Sequence, residues 1–287
     1  MIMYNYLRPD TIEEACQLLA QSKGKILAGG TDLMVQIRAQ EEKLQDLKCV
    51  LDINQLKELN YIKKEDDHIY IGGLTTHHEL QESELIQREA FFLSQAASTV
   101  GSPQIRNRGT LGGSICNASP AADLIPPLIA LNADIKLRSI RGERKLPLIS
   151  IFTKPYCTNI ESDEILVEIS FKILSETTKT AFIKLGRRKA LAIARMNIAV
   201  ALGIGDDGCI EEARIAPGSV FPTPDRVKVA EKILLNKKPT SELIAQASKL
   251  VSEEMINRTG IRWSTEYKRP VIETLANRAL KQAWGVE

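Results

Sequence analysis

The stretch TLGGSICNASPAADLIP, residues 110–126, decides how this chain is read. Two adjacent glycines, Gly112 and Gly113, stand between Thr110 and Ser114, and small residues continue through Asn117, Ala118 and Ser119 to a single acid, Asp123. Such a run is either a tight turn or a low wall against which a ligand lies. Glycine serves both, because a backbone without Cβ bends freely and lets another group come close.

A second pair resembles the first. AGGTD, residues 28–32, follows the short apolar run Ile26–Ala28 and sets Thr31 behind its glycines. Loops of this kind turn successive backbone N–H groups toward an anion, and the hydroxyl adds a donor. Neither loop contains Lys or Arg, so amides would do most of the holding. That suits a diphosphate embedded in a larger ligand. Either pair taken alone also fits a simple turn or bulge.

A third glycine pattern is set aside. GIGDDG, residues 203–208, satisfies G-x-G-x-x-G, but that fingerprint needs a helix N-terminus after it to meet a pyrophosphate. Here the pattern lies between two strand-like runs and offers two carboxylates. It reads as a hairpin turn.

Around these loops the periodicities suggest two kinds of structure. DTIEEACQLLA, residues 10–20, predicts a helix capped by Asp10, with Ile12, Ala15, Cys16 and Leu19 on one face. With the strands at 26–28 and CVLDIN (49–54), the first fifty residues suggest a small parallel βαβ unit. HIYIGGL (68–74) predicts a strand, 84–100 one helix, 133–148 a hairpin turning at Arg141–Gly142, and 164–173 a further strand. Pro126 and Pro127 fit only near a helix start. After a polar stretch around 174–180, AFIKLG, MNIAVALGI and CIEEARIAP alternate as antiparallel strands, and the chain from Pro224 onward is helical.

Composition narrows the function classes. Of 287 residues 26% are charged, with a net charge of +2 and no block of one sign, which argues against a nucleic-acid partner. Five cysteines, Cys16, Cys49, Cys116, Cys157 and Cys209, are widely spaced without a C-x-x-C pair. Neither a disulfide framework nor a zinc or iron–sulfur site is expected, but reduced and mostly buried thiols. No apolar run approaches the roughly 20 residues of a membrane span, and no signal peptide stands out, so a cytoplasmic protein is expected. His77 and His78 are adjacent, without the helical spacing that would place two imidazoles on one metal. Arg106 and Arg108 could serve phosphates or only solvate a loop, and Lys184 could reach an anion from a strand. No catalytic acid, base or nucleophile and no metal site is expected. The chemistry would come from whatever is bound.

The order YLRPDTIEEACQLL, ILAGGTDLMVQIR, GGLTTHHEL, TVGSPQIRNRGTLGGSICNASPAADLIP, EILVEISF and FIKLGRR resembles the FAD-binding (medium) subunit of the molybdenum hydroxylases. That family includes xanthine, nicotinate, carbon monoxide and related dehydrogenases, and the resemblance runs from residue 1 to about 285. It implies an α+β, two-subdomain FAD-binding fold of the vanillyl-alcohol-oxidase (PCMH) type over 1–175, with subdomains of about 1–56 and 57–175. A C-terminal domain of a small antiparallel sheet and helix bundle, as in the carbon monoxide dehydrogenase flavoprotein, would occupy 176–287.

The resemblance also implies a site. Ile26, Leu27, Ala28, Gly29, Gly30, Thr31, Asp32 and Leu33 would hold the FAD pyrophosphate. Thr110, Leu111, Gly112, Gly113 and Ser114 would approach the diphosphate and ribityl region, and Asp123 would accept a hydroxyl of the cofactor. Val100, Gly101, Leu166 and Lys184 would line the same site, with Thr75 to His78 near the flavin. The implied activity is that of an FAD-dependent oxidoreductase subunit of xanthine dehydrogenase type. Its partners would be a molybdenum-cofactor large subunit and a small subunit with two 2Fe–2S clusters, with NAD⁺ as acceptor.

Ala192 stands where many family members carry an acid, which bears on a flavin-side contact and on the acceptor. The cysteine-rich insertion of the benzoyl-CoA-reductase branch is missing. A free-standing flavin oxidoreductase like UDP-N-acetylmuramate reductase would need proton donors over the flavin, and no such constellation stands out. A docking subunit without FAD is at odds with two intact glycine loops.

Overall fold

A computed structural model describes residues 3–22 and 24–286. Three strands, β1 (Asn5–Leu7), β2 (Gly24–Leu27) and β3 (Cys49–Asp52), form a parallel sheet in the order β1-β3-β2. Helix α1 (Ile12–Gln21) buries the expected stripe of Ile12, Ala15, Cys16 and Leu19. Each large member of that stripe contributes on the order of 2 kcal/mol by leaving water. The N-cap is Thr11, not Asp10: its hydroxyl accepts the Glu14 amide at 3.1 Å, while the Asp10 amide donates to Glu14 at 2.8 Å. Glu14, not Glu13, lies one turn on and can reach back. A short helix α2 (Leu33–Arg38) follows the AGGTD loop.

Next comes a five-stranded antiparallel sheet in the order β4-β5-β10-β6-β7, built from β4 (Ile62–Glu65), β5 (His68–Gly72), β6 (Asp134–Ser139), β7 (Gly142–Pro147) and β10 (Ile165–Lys172). The pair β8 (Phe152–Lys154) and β9 (Cys157–Thr158) stands apart. The β6–β7 turn is Ile140–Arg141, one residue earlier than expected, because Ser139 pairs with Gly142. Between β5 and β6 run α3 (His77–Glu82), α4 (Glu84–Glu89), α5 (Phe91–Ser98), α6 (Pro103–Arg106), α7 (Leu111–Asn117) and α8 (Ile125–Ala130). The single helix expected over 84–100 is two. Ala90 leaves helical geometry at φ −150° and ψ 55°. A straight helix would turn Phe92 well away from the face of Ile86, and the break lets both be fully buried.

Strand β10 is the seam of the molecule. A bulge between Leu166 and Glu168 turns Ile165 and Val167 into the core beneath the parallel sheet. Leu166, Ile169 and Phe171 face the larger core shared with α5, α7 and α8. A buried strand facing two cores needs apolar residues in succession rather than in alternation, which is what EILVEISF supplies.

The remainder is an antiparallel sheet of β11 (Thr178–Gly186), β12 (Ala194–Ile204) and β13 (Ile210–Gly218), covered by α9 (Lys228–Leu234), α10 (Ser241–Thr259) and α11 (Thr265–Trp284). GIGDDG ends β12 with Gly203 and Ile204 and then turns toward β13, the turn closed by the Gly205 amide on Cys209 O at 2.9 Å. Met196, Ile198, Val200 and Leu202 of β12 face the helices, while Ala199 belongs to the core of the five-stranded sheet. Among the described residues no helix is long and apolar enough to cross a membrane.

Candidate functional site

A cleft of about 750 Å³ opens at the seam, toward the upper end of the roughly 300–1,000 Å³ usual for small-molecule sites. One wall is Ile26 and Ala28–Leu33, and the opposite wall is Thr110 with Gly112, Gly113 and Ser114. Val100, Gly101, Asp123 and Leu166 complete the group. Fifteen of the eighteen residues singled out in the sequence therefore surround one space. Leu27, Leu111 and Lys184 lie one layer behind it.

The walls meet at a glycine. A Cβ on Gly29 would stand 1.9 Å from Arg108 O, so the 28–33 loop packs backbone to backbone on the RNRGT segment. Gly30, at φ +73°, turns the chain into α2. The amides of Gly29, Gly30, Thr31 and Asp32 have no hydrogen-bond partner among the described residues, and Met34 N takes Gly30 O at 3.2 Å. From behind, Asn54 Nδ2 donates to Ala28 O at 2.8 Å and to Asp52 Oδ1 at 2.6 Å. Asp52 also accepts from Tyr6 OH. Burial raises the Asp52 carboxyl, but the Tyr6 and Asn54 hydrogen bonds outweigh it and hold the group below its ordinary range.

The second loop is built differently. Leu111 N donates to Thr75 O, Gly112 N to Gly73 O, Gly113 N to the Thr110 hydroxyl and Ser114 N to Thr110 O, all within 2.9–3.1 Å. Its amides are therefore consumed by the fold, contrary to the expectation of two alike anion loops. TLGGS is the capped first turn of α7, and Gly112 is needed because a Cβ would stand 2.6 Å from Gly73 O. What this wall offers is closeness, not donors.

Asp123 is 7% exposed and accepts from Asn197 Nδ2 at 2.9 Å and from Lys184 Nζ at 2.5 Å. Burial pushes its carboxyl up, against the pull of Lys184 and Asn197. The anion that Lys184 reaches is thus Asp123, and Nζ also donates to Thr99 O at 2.9 Å. Arg106 serves the fold as well, donating to Val100 O at 3.2 Å and Gly101 O at 3.4 Å.

Some wall residues were weighed little or not at all in the sequence, three of them of chemical interest. Gly73 lies just before the TTHHE segment, His77 lies within it, and Cys116 belongs to α7. Cys116 is exposed on the cleft, and the protein packed around it pushes its thiol up to about 12. All five cysteines are free, yet only Cys16 and Cys49 are buried, fewer than expected. Their wide spacing carried no hint of depth. Ala192 lies at the cleft's edge between the exposed Leu191 and Ile193.

The sequence profile described as "FAD binding domain in molybdopterin dehydrogenase" matches residues 2–171, and the "CO dehydrogenase flavoprotein C-terminal domain" matches 181–283. The chain belongs to the FAD-binding medium subunits of the molybdenum hydroxylase family. Members of this family similar to it include the glyceraldehyde dehydrogenase medium chain of Sulfolobus acidocaldarius, 32% identical over 97% of this chain and 98% of the relative. The nicotinate dehydrogenase FAD-subunit of Eubacterium barkeri is 34% identical over 94% and 92%. Carbon monoxide dehydrogenase from Hydrogenophaga pseudoflava, in a structure lacking the Mo-pyranopterin moiety of its cofactor, superposes with a TM-score of 0.90. That match has 31% identity over 98% of this chain and 97% of the other. The cofactor of this medium subunit is FAD, and the chain is an oxidoreductase subunit. The cleft fits that cofactor: four successive residues whose amides have no partner among the described residues line it, and glycine thins the other wall.

Proposed function

We propose that this chain is the FAD-carrying electron-transfer subunit of a cytoplasmic, heteromeric molybdenum hydroxylase. A molybdenum-cofactor large subunit would oxidise the substrate, and a small subunit would pass the electrons through two 2Fe–2S clusters. FAD, when bound, would supply the two-electron chemistry by which these electrons could reach NAD⁺ as acceptor. The observation that carries the reading is that Gly29–Asp32, whose amides have no partner among the described residues, line one cleft together with Gly112 and Gly113. Support for the complex comes from the relatives, which are named as FAD or medium subunits of dehydrogenases.

In this reading the 28–33 loop holds the diphosphate through its amides and the Thr31 hydroxyl. Thr110 and Gly113–Ser114 let the ribityl chain pass close to the backbone. Asp123, its carboxylate oriented by Asn197 and Lys184, accepts a cofactor hydroxyl. Val100, Gly101 and Leu166 form the apolar side that excludes water. Lys184 acts through Asp123. The boundaries at about 56 and 175 would separate the two FAD subdomains from the C-terminal domain.

The test is to purify the chain from its native source with whatever accompanies it and to identify the flavin released on denaturation. FAD, with molybdenum and iron–sulfur subunits in the same complex, is expected. FMN, or no flavin, would overturn the reading. Anaerobic NADH should then bleach the flavin absorbance. Bleaching by dithionite but not by NADH would overturn NAD⁺ as acceptor.

A further inference from the structure

His77 is 5% exposed, and its imidazole has no hydrogen-bond partner among the described residues. Nδ1 is sealed inside the protein, whereas the ring itself belongs to the cleft wall. The opposite edge runs along Gly109: a Cβ there would stand 3.0 Å from Cδ2 and 3.2 Å from Nε2. Burial, then the Arg106 charge, hold the group at about 4, so the imidazole is neutral at pH 7. A neutral ring carries one N–H and one bare nitrogen. A sealed N–H without a partner is the rarer arrangement, so the proton belongs on Nε2, at the cleft.

The ring's position is set by backbone. His77 N donates to Gly109 O at 3.0 Å, and Gly29 packs on Arg108 and Gly109. His77 therefore stands beside the contact between the two glycine loops. We propose that His77 Nε2–H binds the cofactor, donating to an oxygen of the diphosphate held by the 28–33 loop. The proposal rests on the FAD reading above. It gives the site a side-chain donor that adds no charge, beside a loop without Lys or Arg. His78, next in sequence, is exposed, and Arg106, whose Nη1 donates to the carbonyls of Val100 and Gly101 and whose buried Nε has no partner among the described residues, does not line the cleft.

Fluorescence titration of the FAD-stripped chain tests it, with FAD, ADP and riboflavin as ligands. His77→Leu should weaken FAD and ADP alike by roughly ten- to a hundredfold, as expected for a hydrogen bond to a charged group. Riboflavin, which lacks the diphosphate, should bind unchanged. His77→Gln, whose amide also donates, should recover part of the loss. Unchanged FAD binding in His77→Leu, or weaker riboflavin with ADP unaffected, would overturn the proposal. Should the wild-type chain itself fail to bind FAD, the cofactor reading fails and takes the proposal with it. Should His77→Leu not fold, the wild-type chain labelled with ¹⁵N at histidine decides. ADP should shift the His77 Nε2 resonance, and an unmoved resonance sinks the idea.

Discussion

The two glycine pairs, AGGTD and TLGGS, look alike in sequence and do opposite work in space. At 28–32 the backbone leaves a strand without starting a hydrogen-bonded ladder, and four amides are left without a partner among the described residues. At 110–114 the backbone enters a helix and every amide from Leu111 to Ser114 is used. The first pair offers donors, while the second removes side-chain bulk so that segments and ligand can lie close. Whether a glycine pair can hold an anion depends on where the neighbouring carbonyls are, which composition does not report.

This contrast can be broken at its contact point. Gly29→Ala places a Cβ 1.9 Å from Arg108 O, where only backbone could yield. We expect loss of bound FAD and destabilisation of about 3 kcal/mol or more, read as flavin absorbance per chain and as Tm. An unaltered flavin content would mean that the loops are not held together as described.

Acid should act next. The His77 value of about 4 lies below its ordinary 6.5, so the unfolded chain takes up the proton first as pH falls. The stability is complete above about 6.5 and is lost toward 4, by on the order of 3 kcal/mol. Urea unfolding of wild type and His77→Gln across this window should differ in slope; parallel curves would refute a neutral His77.

A smaller effect is expected behind the first loop. Asn54→Ala removes the donor to Ala28 O. About 1 kcal/mol of stability and a several-fold loss of FAD affinity are expected by titration. Smallest is Gly113→Ala on the exposed side of α7, where a Cβ meets only the Thr110 hydroxyl, at 2.8 Å. The better helix propensity of alanine, up to about 1 kcal/mol, offsets that contact. Stability should hardly move. A large loss would mean that the two loops differ less than their hydrogen bonds indicate.

Much of this was legible before any coordinates. The stripe of α1, the paired prolines of α8 and the alternation of β11 to β13 are local patterns, and local patterns survive folding. The membership of the cleft was legible through resemblance. Three things were not. The use of Lys184 depended on Asp123, 61 residues away. The division of labour between the glycine loops depended on Gly73 and Thr75 carbonyls brought in by a distant strand end. The break at Ala90 depended on two faces sharing one core. Each is a long-range fact for which the residue concerned carries no local mark, although an Asn just after a strand, as at Asn54, is a usable sign of a propped loop.

Strand β12 carries one more consequence. Its 11 residues run between two hydrophobic cores, one closed by α10 and α11 and the other by α5 and α8. Phe182 of β11 and Ala216 of β13 also belong to the second of these. Heating cannot melt the C-terminal helices without uncovering the roof of the cofactor half. The chain should therefore unfold in one cooperative step, with calorimetric and van't Hoff enthalpies in agreement, and cofactor release should track that step rather than precede it.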